Sequence, residues 1–276
     1  MKFAFLGPLT IKSGSSTLSC SGPRNRSLLA ALLLDANRTV SIDRLIDVAW
    51  DHPPETARQQ VQNRIGRLRA LLGRTPGQGI RSTGGGYLLE VREEQVDGLR
   101  FRRLCAEAEQ ARRLGELDRA AERLHSGLDL WQGSAFQDID SLTLRGDAIG
   151  WEEARLNAVE SLVDVEFSRH RHNSILIDLH HWVQRYPYHE GLHCRLAEAL
   201  HARSRTGEAL HVLQQLSARL TRELGIDACA AVQSLQRHLG RTPDVDEPAQ
   251  VPGAVRRASP GTMRVRRSSL PAVPTA

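Results

Sequence analysis

Arg58, Arg64, Arg67 and Arg69 stand in one short segment, RQQVQNRIGRLRALL at 58–72, interleaved with Gln59, Gln60, Gln62 and Asn63. These are the side chains that read base edges in a DNA groove. A guanidinium pairs bidentately with guanine and a carboxamide with adenine, and each good pair discriminates by about 1–3 kcal/mol. A helix face that only meets water normally mixes Glu with Arg for i,i+4 support. No acid occurs from 58 to 72, which favours DNA over a merely solvated face. Val61, Ile65, Leu68 and Leu72 fall at i, i+4, i+7 and i+11. That narrow apolar stripe can be buried while everything else is presented outward. Thr56 and Gln59 fit a capping box, and Gly73 fits the residue beyond the helix end.

A second constellation points to different chemistry. His189-Glu190-Gly191-Leu192-His193 matches H-E-x-x-H, which on one helix face holds zinc with a glutamate base and needs a third ligand. Here Pro187 and a helix start near 189 place His189 at a frayed end, Gly191 weakens the turn, and no downstream signature marks the third ligand. His170, His172, His180, His181, His201 and His211 supply candidates only by abundance, since ten of the eleven histidines lie beyond residue 124. A zinc hydrolase is therefore the weaker alternative. Lys2 and Lys12, the only lysines, follow Met and Ile, so there is no P-loop, which requires Gly-Lys-Ser/Thr. No catalytic residue, cofactor site or metal site is expected.

The elements that position the 57–72 helix read as a winged helix-turn-helix. Residues 2–11 and 16–20 suit short strands. Two helices are predicted at 23–36, with Pro23 in the first turn, and at 41–50, with Ser41 as N-cap. After the arginine-rich helix, Ile80-Arg81-Ser82, a Thr83–Gly86 turn and Tyr87–Val91 form a hairpin, the wing. Arg81 is placed at its tip, where it would enter the minor groove. A strand after the glycines excludes a phosphate cradle, which needs a helix there. From Asp97 the pattern is helical almost throughout, with segments near 98–114, 117–131, 143–171, 174–186, 189–204, 208–224 and 227–239. Leu114-Gly115-Glu116 resembles Thr206-Gly207-Glu208, and Asn173 precedes Gly207 by 34 residues, the tetratricopeptide period. Such units stack into a concave partner-binding surface; a plain helical bundle is the other reading.

Charge divides the chain in the same places. Residues 1–96 carry 13 basic and 8 acidic residues, 97–240 carry 18 and 21, and 241–276 carry 6 and 3. A basic head, a slightly acidic body and a basic tail follow, and a basic head suits nucleic acid. The expected domains are therefore 1–96 for DNA binding, 97–240 for an activation domain, and 241–276, with six prolines, for a disordered tail. Its Arg256, Arg257, Arg264, Arg266 and Arg267 keep it soluble or touch DNA nonspecifically. The chain has 276 residues, 40% hydrophobic and 25% charged, a globular composition. No apolar run approaches membrane length, the opening MKFAFLGPLTI has no cleavage site, and Cys20, Cys105, Cys194 and Cys229 are too scattered for a disulfide framework. A cytoplasmic, nucleoid-associated protein without membrane contact is expected.

The order GPRNRSLLAALLL, RTVSIDRLIDVAW, ARQQVQNRIGRLRALLG and the GYLLEV hairpin resembles that of the Streptomyces antibiotic regulatory proteins. The stretch ALHARSRTGEALHVLQQLSARLTRELGID is similar to their bacterial transcriptional activation domain. The resemblance covers about residues 1–240 and implies a mainly α chain with a small β component. An OmpR-type winged helix would be followed by an all-α tetratricopeptide-like domain. It implies no enzyme but an activator of an antibiotic biosynthetic cluster. Such an activator binds double-stranded DNA at tandem direct repeats, side by side with a second protomer, and recruits RNA polymerase holoenzyme. Carried over by position, Arg64, Arg67 and Arg69 are DNA-facing, Gln62 is their polar neighbour, and Arg81 lies in the wing; Arg58, Gln59 and Asn63 complete the candidate set. The chain departs from the family at Gly66, where Ser or Arg is common, and in its three wing glycines. Larger members add an ATPase domain, so the expectation is a short member. The alternatives are a tetratricopeptide-like partner-binding module with only nonspecific DNA affinity, a phosphorylation-driven output domain, for which no receiver precedes, and the zinc hydrolase.

Overall fold

In a computed structural model, residues 1–73 and 79–241 are described; the expected tail beyond 241 lies outside them. The first strand region is two strands rather than one. β1 (Lys2–Ala4) and β2 (Thr10–Ser13) run antiparallel with β3 (Ser16–Leu18), because Gly7-Pro8 turns the chain. A Cβ on Gly7 would lie 3.1 Å from the backbone of Gln132. Three helices follow: α1 (Pro23–Leu34), α2 (Ile42–Ala49) and α3 (Ala57–Leu72). Leu28, Leu29, Leu32 and Leu33 of α1 are fully buried. Ser41 caps α2, its hydroxyl accepting from the Arg44 amide at 3.1 Å. An unexpected strand, β4 (Thr39–Ser41), joins β5 (Gly79–Thr83) and β6 (Gly86–Glu90) in the order β4-β6-β5. A Cβ on Gly86 would meet the Val40 carbonyl oxygen at 1.9 Å, so this wing glycine is needed for strand pairing.

The body contains α4 (Asp97–Arg113), α5 (Leu117–Leu128), the long α6 (Leu142–Ser168), α7 (Leu176–Arg185), α8 (Glu190–His201), α9 (Thr206–Arg219) and α10 (Ala230–Gly240). α4 packs on α5 and α5 on α6, α7 packs on α8, α8 on α9 and α9 on α10, and α9 runs into a π-helical turn at Leu220–Leu224. Three turns share one geometry. Gly115, His170 and Ser204 have φ of 76°, 55° and 60°. In each turn that residue's amide donates to the carbonyl three residues back, and the next amide reaches five back (Glu116 to Ala111, Arg171 to Glu166, Arg205 to Leu200). His170 and Ser204 stand 34 residues apart, the interval expected from Asn173 and Gly207. The left-handed residue, however, lies three positions earlier than either, so Gly207 is not the counterpart of Gly115.

Head and body share a continuous core. Phe5 stacks on Phe136 with ring centroids 4.6 Å apart and meets Trp151 edge-on at 5.0 Å. The buried Asp97 carboxylate accepts from the amides of Phe5, Leu6 and Gly98 at 2.7–3.0 Å. Burial pushes this carboxyl up to about 6, against the pull of those three amides. Asp138 binds Arg26 and the Leu9 amide, Asp147 binds Arg44, and the Ser141 hydroxyl donates to the Val48 carbonyl at 2.9 Å.

Candidate nucleic-acid interface

All four stripe residues of α3 (Val61, Ile65, Leu68 and Leu72) are buried against α1 and α2. With 3.6 residues per turn, the opposite face consists of Gln59, Asn63, Gly66, Arg67 and Ala70, all exposed. Arg58 and Gln62 flank it and are exposed too. No carboxylate interrupts this face. Arg58 reaches only a loose contact with Asp43 of α2, at 3.8 Å.

Arg64 occupies the other flank and is half-buried. Its guanidinium lies 5.9 Å from the Trp50 ring and donates to the Asn25 side-chain oxygen at 3.1 Å. Arg24 stands over the same ring at 5.3 Å. Burial lowers the Arg64 pKa, and the like charges of Arg24 and Arg67 lower it further. Three guanidiniums gathered without an acid form a local positive field suited to phosphate. Sequence reasoning missed Arg24, Asn25 and Trp50, because their convergence depends on helix packing. The available signal was Arg24-Asn25 immediately after the helix-starting Pro23.

Two expected DNA-facing arginines, both exposed, also make contacts within the protein. Arg69 donates to the Ile80 carbonyl at 2.9 Å and the Ser82 hydroxyl at 2.8 Å, and lies 5.7 Å from the Tyr87 ring. It ties α3 to the wing. Arg81 is not at the tip: it sits within β5 opposite Leu88, two residues before the turn, and pairs with Glu90 at 3.2 Å. The expected capping box also differs. Thr56 makes no cap bond to the helix backbone; its hydroxyl accepts from the Gln60 side chain at 3.1 Å.

The H-E-x-x-H side chains serve the fold. His189 is the N-cap of α8, its Nδ1 accepting from the Leu192 amide at 3.2 Å. Glu190 accepts from the Cys229 amide at 2.6 Å, holding the start of α10. His193 is buried against the His189 carbonyl at 2.9 Å, and burial lowers its pKa.

Two family models match the chain: the bacterial transcriptional activator domain over residues 96–239, and the C-terminal domain of transcriptional regulatory proteins over 20–89. The regulatory protein DnrI of Streptomyces peucetius is 32% identical over 266 residues, covering 92% of this chain and 98% of DnrI. The chain belongs to the Streptomyces antibiotic regulatory protein family. The transcriptional regulator RedD of Streptomyces coelicolor is 34% identical, covering 84% of this chain and 68% of its own length. The regulatory protein AfsR of the same species is 31% identical over 99% of this chain, which spans 27% of it. Among solved structures, Mycobacterium tuberculosis EmbR in complex with a low-affinity phosphopeptide superposes with a TM-score of 0.78 at 26% identity. That match covers 86% of this chain and 64% of the EmbR chain. As a Streptomyces antibiotic regulatory protein the chain is a DNA-binding transcriptional regulator with an OmpR-type winged helix and a helical activation domain, and not an enzyme. Among the described residues no helix is long and apolar enough to cross a membrane.

Proposed function

We propose that the chain activates an antibiotic biosynthetic cluster by placing α3 in the major groove of tandem direct repeats near a promoter. Gln59, Gln62, Asn63 and Arg67 meet base edges, while Arg58, Arg64 and the newly found Arg24 hold phosphates. Arg69 and Arg81 act indirectly, by fixing the wing. One winged helix makes a small interface, so a second protomer on the adjacent repeat adds affinity by raising effective concentration. Direct repeats make that contact heterologous, and the helical body of 97–240 supplies it together with the contact to RNA polymerase holoenzyme. The regulator works in the cytoplasm at the nucleoid. The observation that carries this reading is the carboxylate-free amide and guanidinium face of α3 beside the Arg24–Arg64–Arg67 cluster. Sequence selection from random duplex DNA tests it. The full chain, at about 0.15 M salt where long-range phosphate attraction is screened, is expected to enrich a tandem direct repeat. Recovery of unenriched sequence would sink the specific-reader reading and leave a partner-binding module with nonspecific DNA affinity.

A further inference from the structure

The junction of head and body encloses a cleft of about 430 Å³, within the size range of small-metabolite sites, which favour such interfaces. Its lining charges neutralise one another only in part. Arg44 is taken by Asp147. Arg38 and Arg102 also line the cleft, as does Asp35, and among the described residues none of these three forms an ion pair. All three side chains are exposed, and the backbone at Arg38 and the guanidinium of Arg102 are positioned by neighbouring groups. The Arg102 guanidinium lies 4.1 Å from the centre of the Trp151 ring, a contact that leaves N–H groups available. The Arg38 amide donates to the Asp35 carbonyl at 2.9 Å, and the preceding Asn37, at φ 64°, is fixed by two side-chain bonds to the Val91 backbone at 2.9 and 3.0 Å. Asp35 caps the C-terminus of α1, where the helix dipole disfavours a carboxylate and no basic residue occupies the last turn. Gly150 lines the cleft from within α6, a position where glycine weakens a helix. A Cβ there would meet nothing within 4 Å, so protein packing does not account for it.

We propose that this cleft binds a small phosphate-bearing metabolite across the head–body junction. Arg38 and Arg102 take the phosphate and Asp35 accepts a hydroxyl or amine of the same molecule. Two guanidinium forks from separate elements match the dianionic charge and multiple acceptor oxygens of a phosphate monoester. A DNA phosphate does not suit the site. The cleft lies at the C-terminal end of α1, whereas Arg24 lies at its N-terminal end, about 16 Å away along the helix. Asp35 also repels a nucleic-acid backbone.

Calorimetric titration of the full chain with inorganic phosphate, glucose 6-phosphate and glucose tests the assignment. Both phosphates are expected to bind one per chain, glucose 6-phosphate more tightly, and glucose not at all. Arg38→Gln and Arg102→Gln each weaken both phosphates about tenfold, as expected for one charged hydrogen-bond set. Asp35→Asn weakens glucose 6-phosphate alone. Arg222→Gln, a surface arginine paired with Glu223, changes neither. Equal affinity for the two phosphates assigns the site to the free ion and overturns the metabolite. Absence of saturable heat up to about 10 mM, or an equal loss in Arg222→Gln, overturns the site altogether.

Discussion

The arginines of α3 and most of those of the helical body are one residue type in two chemical situations. In the body, Arg103 meets Glu94 at 2.8 Å, Arg195 bridges Asp164 and Glu198 at 2.8 and 3.0 Å, and Arg205 meets Glu208 at 2.6 Å. Glu109 accepts from both Arg112 and Arg113, whose hydrogen bonds and charge pull its carboxyl down to about 2. On α3 the shift is on the guanidinium itself: burial and then like neighbours, Arg24 and Arg67, lower Arg64. The abundance of arginine is thus uninformative in this chain. The informative quantity is the absence of a carboxylate partner, which leaves positive charge available to an outside anion.

Substitutions on the two sides of this contrast differ in the size of their expected effects. Asp97→Ala strands three buried amides at the joint between the two regions and should cost about 2–4 kcal/mol in urea unfolding; a loss confined to one region would show that head and body are separable. The same group gives a pH signature. Its folded pKa of about 6 exceeds the ordinary 3.8, so its contribution is fully present below pH 4 and is lost as pH rises through 6. Wild-type stability should therefore carry a gain from this group as pH falls from about 6 to 4, and Asp97→Asn should lack it.

Next in size is Arg67→Ala, expected to weaken specific DNA binding by about 1–3 kcal/mol with unfolding unchanged. Unaltered affinity in a gel-shift titration on the selected repeat would displace α3 from the groove. Gly66→Ala adds a Cβ that meets nothing within 4 Å, so thermal unfolding should show a gain of about 0.5–1 kcal/mol. Any accompanying loss of DNA affinity then reports how closely the α3 backbone approaches the duplex. At the small end, Arg205→Ala in the body should leave both DNA affinity and melting temperature unchanged, since exposed ion pairs contribute little.

The α3 helix was legible in the sequence because its apolar stripe has an unbroken period and its flanks are unambiguous. Its observed bounds, Ala57–Leu72, coincide with the expected ones. The helices of the body were legible for the same reason. What the sequence hid was the relation between elements. Arg69 and Arg81 look identical to Arg67 in composition, but the wing folds back to within reach of one and Glu90 of the other. The Arg24–Trp50–Arg64 cluster joins three helices whose separation along the chain carries no periodic signal. β4 is three residues long, too short to announce itself without its partner β6. The left-handed positions escaped because Gly115, His170 and Ser204 share a backbone conformation and no side-chain chemistry.

The Phe5–Phe136–Trp151 and Asp97 contacts replace a linker with packed protein. With α3 in the groove as proposed, a regulator built this way cannot swivel, and the direction in which the body projects is set by the base pair α3 occupies. Duplex DNA turns fully in about 10–10.5 base pairs. Sliding the recognition site by about five therefore carries the body to the far side of the double helix, whereas sliding it by ten restores its bearing. Promoter output should follow the helical phase of the operator, rising and falling with its distance from the start site, rather than the distance alone.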